Sequence, residues 1–183
     1  LWCERSELES AYFRTLRDRL VDVADRAWRA RSPGTLLYAQ TAAAELGSNR
    51  RIQKADGTWG NQWNDPDGRQ TGYYDPAVDL IGVRREDGSI DVLLVNFGCH
   101  PVCFGSQNRA ISGDYVSYLK DDLEMEGDAR TVLFTVSGHA NVDPRDCVQD
   151  KVEVVRKTGK TLAQIVRRAL PSLVPVVGAG AAA

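Results

Sequence analysis

The stretch Ile90-Asp91-Val92-Leu93-Leu94-Val95-Asn96-Phe97-Gly98-Cys99-His100-Pro101 decides the reading of this chain. Its branched aliphatic residues spell a strand, and Gly98 to Pro101 end it with a histidine just past the tip. Upstream, Val78 to Arg84 is a second strand-like run, and Asp87-Gly88 between the two is a hairpin signal. Downstream, Ile111-Ser112-Gly113-Asp114-Tyr115 reads as a loop entering a helix that runs to about Glu126 and stops at Gly127. A short run, Thr131 to Val136, then has the apolar character of a fully buried strand. It ends in Ser137-Gly138-His139-Ala140-Asn141-Val142-Asp143-Pro144. Both histidines of the chain thus fall just beyond predicted strand ends, where α/β proteins collect ligands and catalytic groups.

The flanking segments fix the fold class. Ser6-Glu7-Leu8-Glu9 fits a capping box, and Leu8, Tyr12, Leu16, Leu20, Val23 and Ala27 recur at steps of three and four. That predicts a long helix ending near Ser32-Pro33-Gly34. Thr35 to Thr41 reads as a strand. Glu45 to Tyr74 is polar and lacks periodicity, and its Trp59, Trp63, Tyr73 and Tyr74 argue against disorder. Val152, Val155, Leu162, Ile165, Val166 and Ala169 mark a last helix closed by Pro171. This order predicts an α/β fold: a mixed β-sheet flanked by helices, with an antiparallel hairpin and parallel pairing open to the helix-linked strands. One domain is expected over residues 1–176, followed by a flexible Gly/Ala tail at 177–183.

Composition narrows the function classes. A formal charge of −2 gives no general pull toward nucleic acid. No apolar run approaches the roughly 20 residues of a transmembrane segment. Cys3, Cys99, Cys103 and Cys147 make no paired C-x-x-C units, which argues against a zinc ribbon. Cys99 and Cys103 read as small buried thiols, with a disulfide or a thiolate ligand as the alternatives. Cysteine usage leaves the compartment open between secreted or periplasmic and cytoplasmic.

Several residues could carry chemistry. Pro101 favours an extended backbone at His100, whose imidazole can hold a metal or move a proton at neutral pH. Gly138 and Ala140 leave room around His139 for a ligand. Asp143 could act as general base or metal ligand, and Asn141 could donate to an oxyanion; an Asx-turn leading into Pro144 is the structural alternative. Asp114 can cap a helix or face a site, with Ser112 as a polar contact beside it. Arg50 and Arg51 could bind a carboxylate, orient a loop, or be solvated charges. No G-x-S-x-G, P-loop or H-E-x-x-H pattern occurs, and three metal ligands do not appear at a recognisable spacing.

Taken in order, these segments resemble the N-terminal catalytic region of the neutral/alkaline non-lysosomal ceramidase family and its bacterial relatives. The resemblance rests on Gly47-Ser48-Asn49-Arg50-Arg51, Asp75-Pro76-Ala77-Val78, Val95 to Val102, Ile111 to Tyr115, and Ala140 to Arg145. It implies part of a larger catalytic domain, zinc as cofactor, and hydrolysis of the amide of a lipid or small-molecule substrate. His100 resembles one of the family's two zinc histidines; the remaining ligands would come from further segments or a partner chain. Ser112, Asp114, Tyr115, Arg50 and Arg51 would meet the substrate, with Trp59 and Trp63 lining the approach or serving as core satellites. Zinc would polarise the amide carbonyl and activate a bound water. Asp143 would orient water or substrate, and Asn141 and His139 would complete the catalytic turn. Asp143 stands where ceramidases of demonstrated activity carry a serine, and His139 and Asn141 also depart from the family pattern. Two functions therefore follow: hydrolysis of N-acyl sphingosine or another N-acyl amine, or a non-catalytic scaffold with diverged active-site turns.

Overall fold

The computed structural model describes residues 7–148 and 150–177. In chain order the elements are α1 (Glu7–Arg29), β1 (Thr35–Ala42), β2 (Gly47–Asn49), β3 (Arg51–Gln53), β4 (Trp59–Asn61), β5 (Ala77–Arg84), β6 (Ile90–Phe97), α2 (Asp114–Met125), β7 (Thr131–Thr135), β8 (Val142–Pro144), α3 (Val152–Ala169), a 3-10 turn (Leu170–Ser172) and β9 (Val174–Pro175). The chain divides into two compact units, Leu1–Pro33 and Gly34–Ala183, where the sequence reading drew one domain over 1–176. Ser6 of the capping box, Cys3 and residues 178–183 lie outside the described residues.

The first unit contributes α1. Ion pairs one turn apart, Asp22–Arg26 at 3.0 Å and Asp25–Arg29 at 2.9 Å, run along it. Such exposed pairs add only tenths of a kcal/mol each. The apolar stripe read from the sequence is real as a pattern, but Tyr12, Leu16, Leu20 and Val23 are exposed.

The second unit is α/β, as predicted. Its five-stranded sheet has the order β7-β6-β5-β1-β9. The β5–β6 hairpin is antiparallel and turns at Gly88, whose φ of 87° suits glycine. β6 and β7 pair in parallel, joined through α2. Alternate residues Leu37 and Ala39, Val78 and Leu80, and Leu93, Val95 and Phe97 point into the core. α2 and α3 pack on each other over that face, α2 toward β7 and α3 toward β1. They bring Tyr115, Leu119, Leu123, Val155, Leu162 and Val166 to the same cluster. Gly159 makes the helix–helix contact close: a β-carbon there would fall on the Tyr115 carbonyl and 2.7 Å from Tyr118 Cβ.

Two expectations are corrected. The 131–136 run is not a fully buried strand: as the sheet's edge, β7 buries Val132 and exposes Leu133. The segment 45–74, read as one long connection without periodicity, contains short strands, because β2 pairs with β8 and β3 with β4. Short polar strands of three residues carry too little alternation to be read from sequence. No helix among the described residues is long and apolar enough to cross a membrane.

Candidate functional site

The parallel pairing of β6 and β7 builds the site. Their last registered pair is Asn96 with Thr135. His100 and His139 each lie four residues beyond it (100 − 96 and 139 − 135), so both strands deliver a histidine to the same end of the sheet. The two imidazoles meet edge to face, with ring centroids 4.3 Å apart and planes at 81°. Backbone bonds hold the two ends together. His100 N–H donates to the Val142 carbonyl at 3.0 Å, and Val142 N–H donates to the His139 carbonyl at 2.8 Å. Gly98 permits the approach, since a β-carbon there would lie 2.8 Å from Ser137 Oγ and 2.9 Å from the Gly138 carbonyl oxygen.

Arg50 braces the bend that carries His139. Its backbone N–H donates to the Asn141 carbonyl at 2.9 Å, and its Nη2 donates to the Ala140 carbonyl at 2.8 Å. Its Nη1 reaches both carboxylate oxygens of Asp143, at 3.2 and 3.3 Å. The guanidinium also lies over the Trp63 ring, 4.6 Å from the centroid. Asp143 is wholly buried, so its carboxylate has no surface to offer a solvent water. The structure thus gives Asp143 the place of a counter-ion to Arg50 rather than that of a solvent-facing base. Arg50 orients a loop, one of the duties read for it. Arg51 sits apart, exposed on β3 with its guanidinium 5.9 Å from the Trp59 ring centroid.

The Ser112–Tyr115 segment is hydrogen-bonded to the loop that carries His100. Tyr115, expected at the approach, is a core residue whose hydroxyl donates to the Cys99 carbonyl at 2.9 Å, next to His100. Asp114 is also buried. Its carboxylate accepts from the amides of Cys103 (3.1 Å), Phe104 (2.9 Å) and Tyr115 (2.7 Å), tying the loop after His100 to the start of α2. Gly113 holds the cap position, and Asp114, at φ 54°, serves the helix from its first residue. The Ser112 hydroxyl accepts from Asp114 N–H at 2.9 Å and is occupied locally. The half-buried Asn141 keeps its side-chain amide free of hydrogen bonds among the described residues.

The cysteines behave as buried thiols. Cys99 and Cys103 are not joined. Burial, and then the Asp143 carboxylate, push the Cys99 thiol well up; burial and the Asp114 carboxylate do the same at Cys103. Cys147 is pushed up to about 12, by burial first and by Asp143 second, and donates to the Trp63 carbonyl. At all three, burial and a neighbouring carboxylate favour the protonated thiol.

Sequence reasoning missed two supporting residues. Ser48 is buried directly opposite Asp143 in the β2–β8 pair, with no hydrogen-bond partner for its hydroxyl among the described residues. Asp65 is buried and accepts from the amides of Arg69 and Gln70, while its own N–H donates to the Arg145 carbonyl. The only signal for Asp65 was Asp-Pro-Asp-Gly turn chemistry, and for Ser48 its place in the Gly47-Ser48-Asn49-Arg50-Arg51 motif, which assigned it no duty. Among the described residues no group of three or more His, Cys, Asp or Glu could hold a metal ion. These residues alone therefore do not make a complete zinc site.

An α/β sheet with its polar constellation at the end of two parallel strands is the class of architecture these features define. Comparison with solved structures gives that architecture a close parallel in ceramidases. The neutral ceramidase of Pseudomonas aeruginosa matches with a TM-score of 0.64 and 18% sequence identity, over 84% of this chain and 25% of that one. A ceramidase complexed with C2 matches with a TM-score of 0.63 and 17% identity, over 80% of this chain and 24% of that one. The chain thus spans about a quarter of the length of these structures and shares the fold of that quarter. No family profile matches the chain, and no curated protein matches it by sequence.

Proposed function

We propose that the intact protein is a ceramidase-like, zinc-dependent hydrolase of an amide bond, acting on N-acyl sphingosine or another N-acyl amine. One observation carries the reading. In a fold shared with neutral ceramidase, His100 leaves the end of a sheet strand and faces the 139–145 bend. His100 would be one metal ligand, and the described residues do not complete the set. This chain's own residues set the geometry. Arg50 fixes the bend, Asp143 balances the Arg50 charge, and the Asn141 amide is available to donate to a developing oxyanion.

An amide-release screen on the intact protein, covering ceramides and short N-acyl amines, tests this. Release from at least one substrate, reduced by about a hundredfold or more in His100→Ala, is the expected result. Silence across the panel refutes it. The buried Asp143–Arg50 pair, where active ceramidases place a serine, favours a second reading: a ceramidase-like scaffold that binds without catalysing. A protein that folds normally and carries no zinc would support the scaffold.

A further inference from the structure

We propose that α1 is a lipid-docking helix, which lies in the surface plane of a phospholipid bilayer with its apolar side turned to the acyl chains. The inference rests on α1 taken by itself and is independent of the hydrolase reading.

Every residue of α1 from 11 to 29 is exposed. Helices in proteins owe most of their stability to a packed apolar face, so this one calls for a surface. At about 100° per residue, Tyr12, Phe13, Leu16, Leu20, Val23 and Ala27 fall within one arc of about 100°. By register Glu9 shares this arc, so the docking stretch begins at Tyr12. The charges around the arc are sorted by sign. Arg19 and Arg26 lie within about 40° of one border, and Arg17 about 40° beyond the other. Asp18, Asp22 and Asp25 lie within about 50° of the opposite pole. Bases at both borders and acids on the far side suit a headgroup layer, where long arginines snorkel to phosphates and carboxylates stay in water. The Arg17–Asp18 pair at 2.8 Å and the Asp22–Arg26 pair at 3.0 Å are exposed and worth little, which leaves both guanidiniums able to turn toward phosphate. Tyr12, on the Arg19 border, has the ring and hydroxyl that collect at bilayer interfaces. Five arginines and five acids over Glu7–Arg29 balance, so the matching surface is zwitterionic rather than strongly anionic. No helix among the described residues is long and apolar enough to cross a membrane, so α1 lies along the surface. A partner helix fits this pattern less well. It calls for a narrower seam with charges of both signs along its borders, and a second copy would bring the arginine borders together.

Sucrose-loaded phosphatidylcholine vesicles, pelleted with the intact protein, with Leu20→Asp and with Val21→Asp, test this. Val21 is as exposed as Leu20, at 65% against 58%, but lies about 80° outside the arc. The unsubstituted protein should pellet with the vesicles. Leu20→Asp should weaken partition by about tenfold or more, and Val21→Asp should stay within about twofold. Hydrogen exchange of the unsubstituted protein gives a readout that needs no variant to fold: amides 12–27 should slow when vesicles are added. Protein that stays in the supernatant, equal losses in the two variants, or slowing confined to other segments would overturn the inference. Slowing at 12–27 that grows with protein concentration without lipid, while vesicles pellet nothing, would overturn it in favour of a second copy. If amide release is absent while vesicles protect 12–27, the proposed function fails and the docking helix stands. If release persists in a protein that ignores vesicles, the docking helix fails and the function stands.

Discussion

At the scale of residues, the Arg50–Asp143 pair shows what a linear reading misses. The sequence placed Asp143 in a functional bend and offered Arg50 a carboxylate, yet nothing in the chain joins two residues 93 positions apart. Their pairing comes from β2 lying against β8. Removing one partner of a buried pair leaves the other charge without compensation. Arg50→Ala should therefore cost about 3–5 kcal/mol in urea unfolding. Arg50→Lys should recover little of it, because one ammonium cannot serve both the Ala140 carbonyl and the carboxylate as the guanidinium fork does. Cys147 gives a pH prediction of definite sign. In the unfolded chain its thiol ionises near the ordinary value of 9.0, and in the fold not until about 12. The folded state thus favours the protonated form. This contribution is fully present below pH 9 and is lost as the pH rises toward 12. Alkaline urea titrations should show the decline, and Cys147→Ser should lessen it, the remainder coming from Cys99 and Cys103. Native protein at pH 8 should resist alkylation at Cys99 and Cys103 until it is unfolded.

At the scale of elements, legibility followed periodicity. The hairpin, the long helices and the 131–136 strand all have enough turns or alternations to be read, and all form. What failed was environment. β7 carries Val132 and Phe134 on one face and Leu133 on the other, yet it is the edge strand of its sheet and only Val132 is fully buried. Gly159 was equally silent, since a glycine inside a helical pattern looks like a defect. Propensity alone predicts that Gly159→Ala stabilises α3 by about 1 kcal/mol. The contact with α2 predicts the reverse: overpacking against the Tyr115 carbonyl and Tyr118 should destabilise by about 1–3 kcal/mol in thermal or urea unfolding.

At the scale of the whole molecule, the sheet has an apolar outer row that its own helices do not cover. Tyr38, Ile81, Leu94 and Leu133 align across four strands, and all but Leu94 are exposed. Leu133→Lys should change unfolding free energy by less than about 0.5 kcal/mol. It should also lower self-association in light scattering, because exposed rows of this kind attract one another. The fold class was readable because strands and helices alternate along the chain. The site was readable only as two histidines near strand ends, and their meeting required the register of β6 on β7.

That register has an engineering consequence. The equal overhangs past Asn96 and Thr135 work as matched rulers. One extra glycine inserted before His139 would slide that ring along by about 3.3 Å, the rise of a single extended residue. Every existing side chain would keep its identity while the two rings parted company, so changes of length offer a sharper probe of this end of the sheet than any replacement within it.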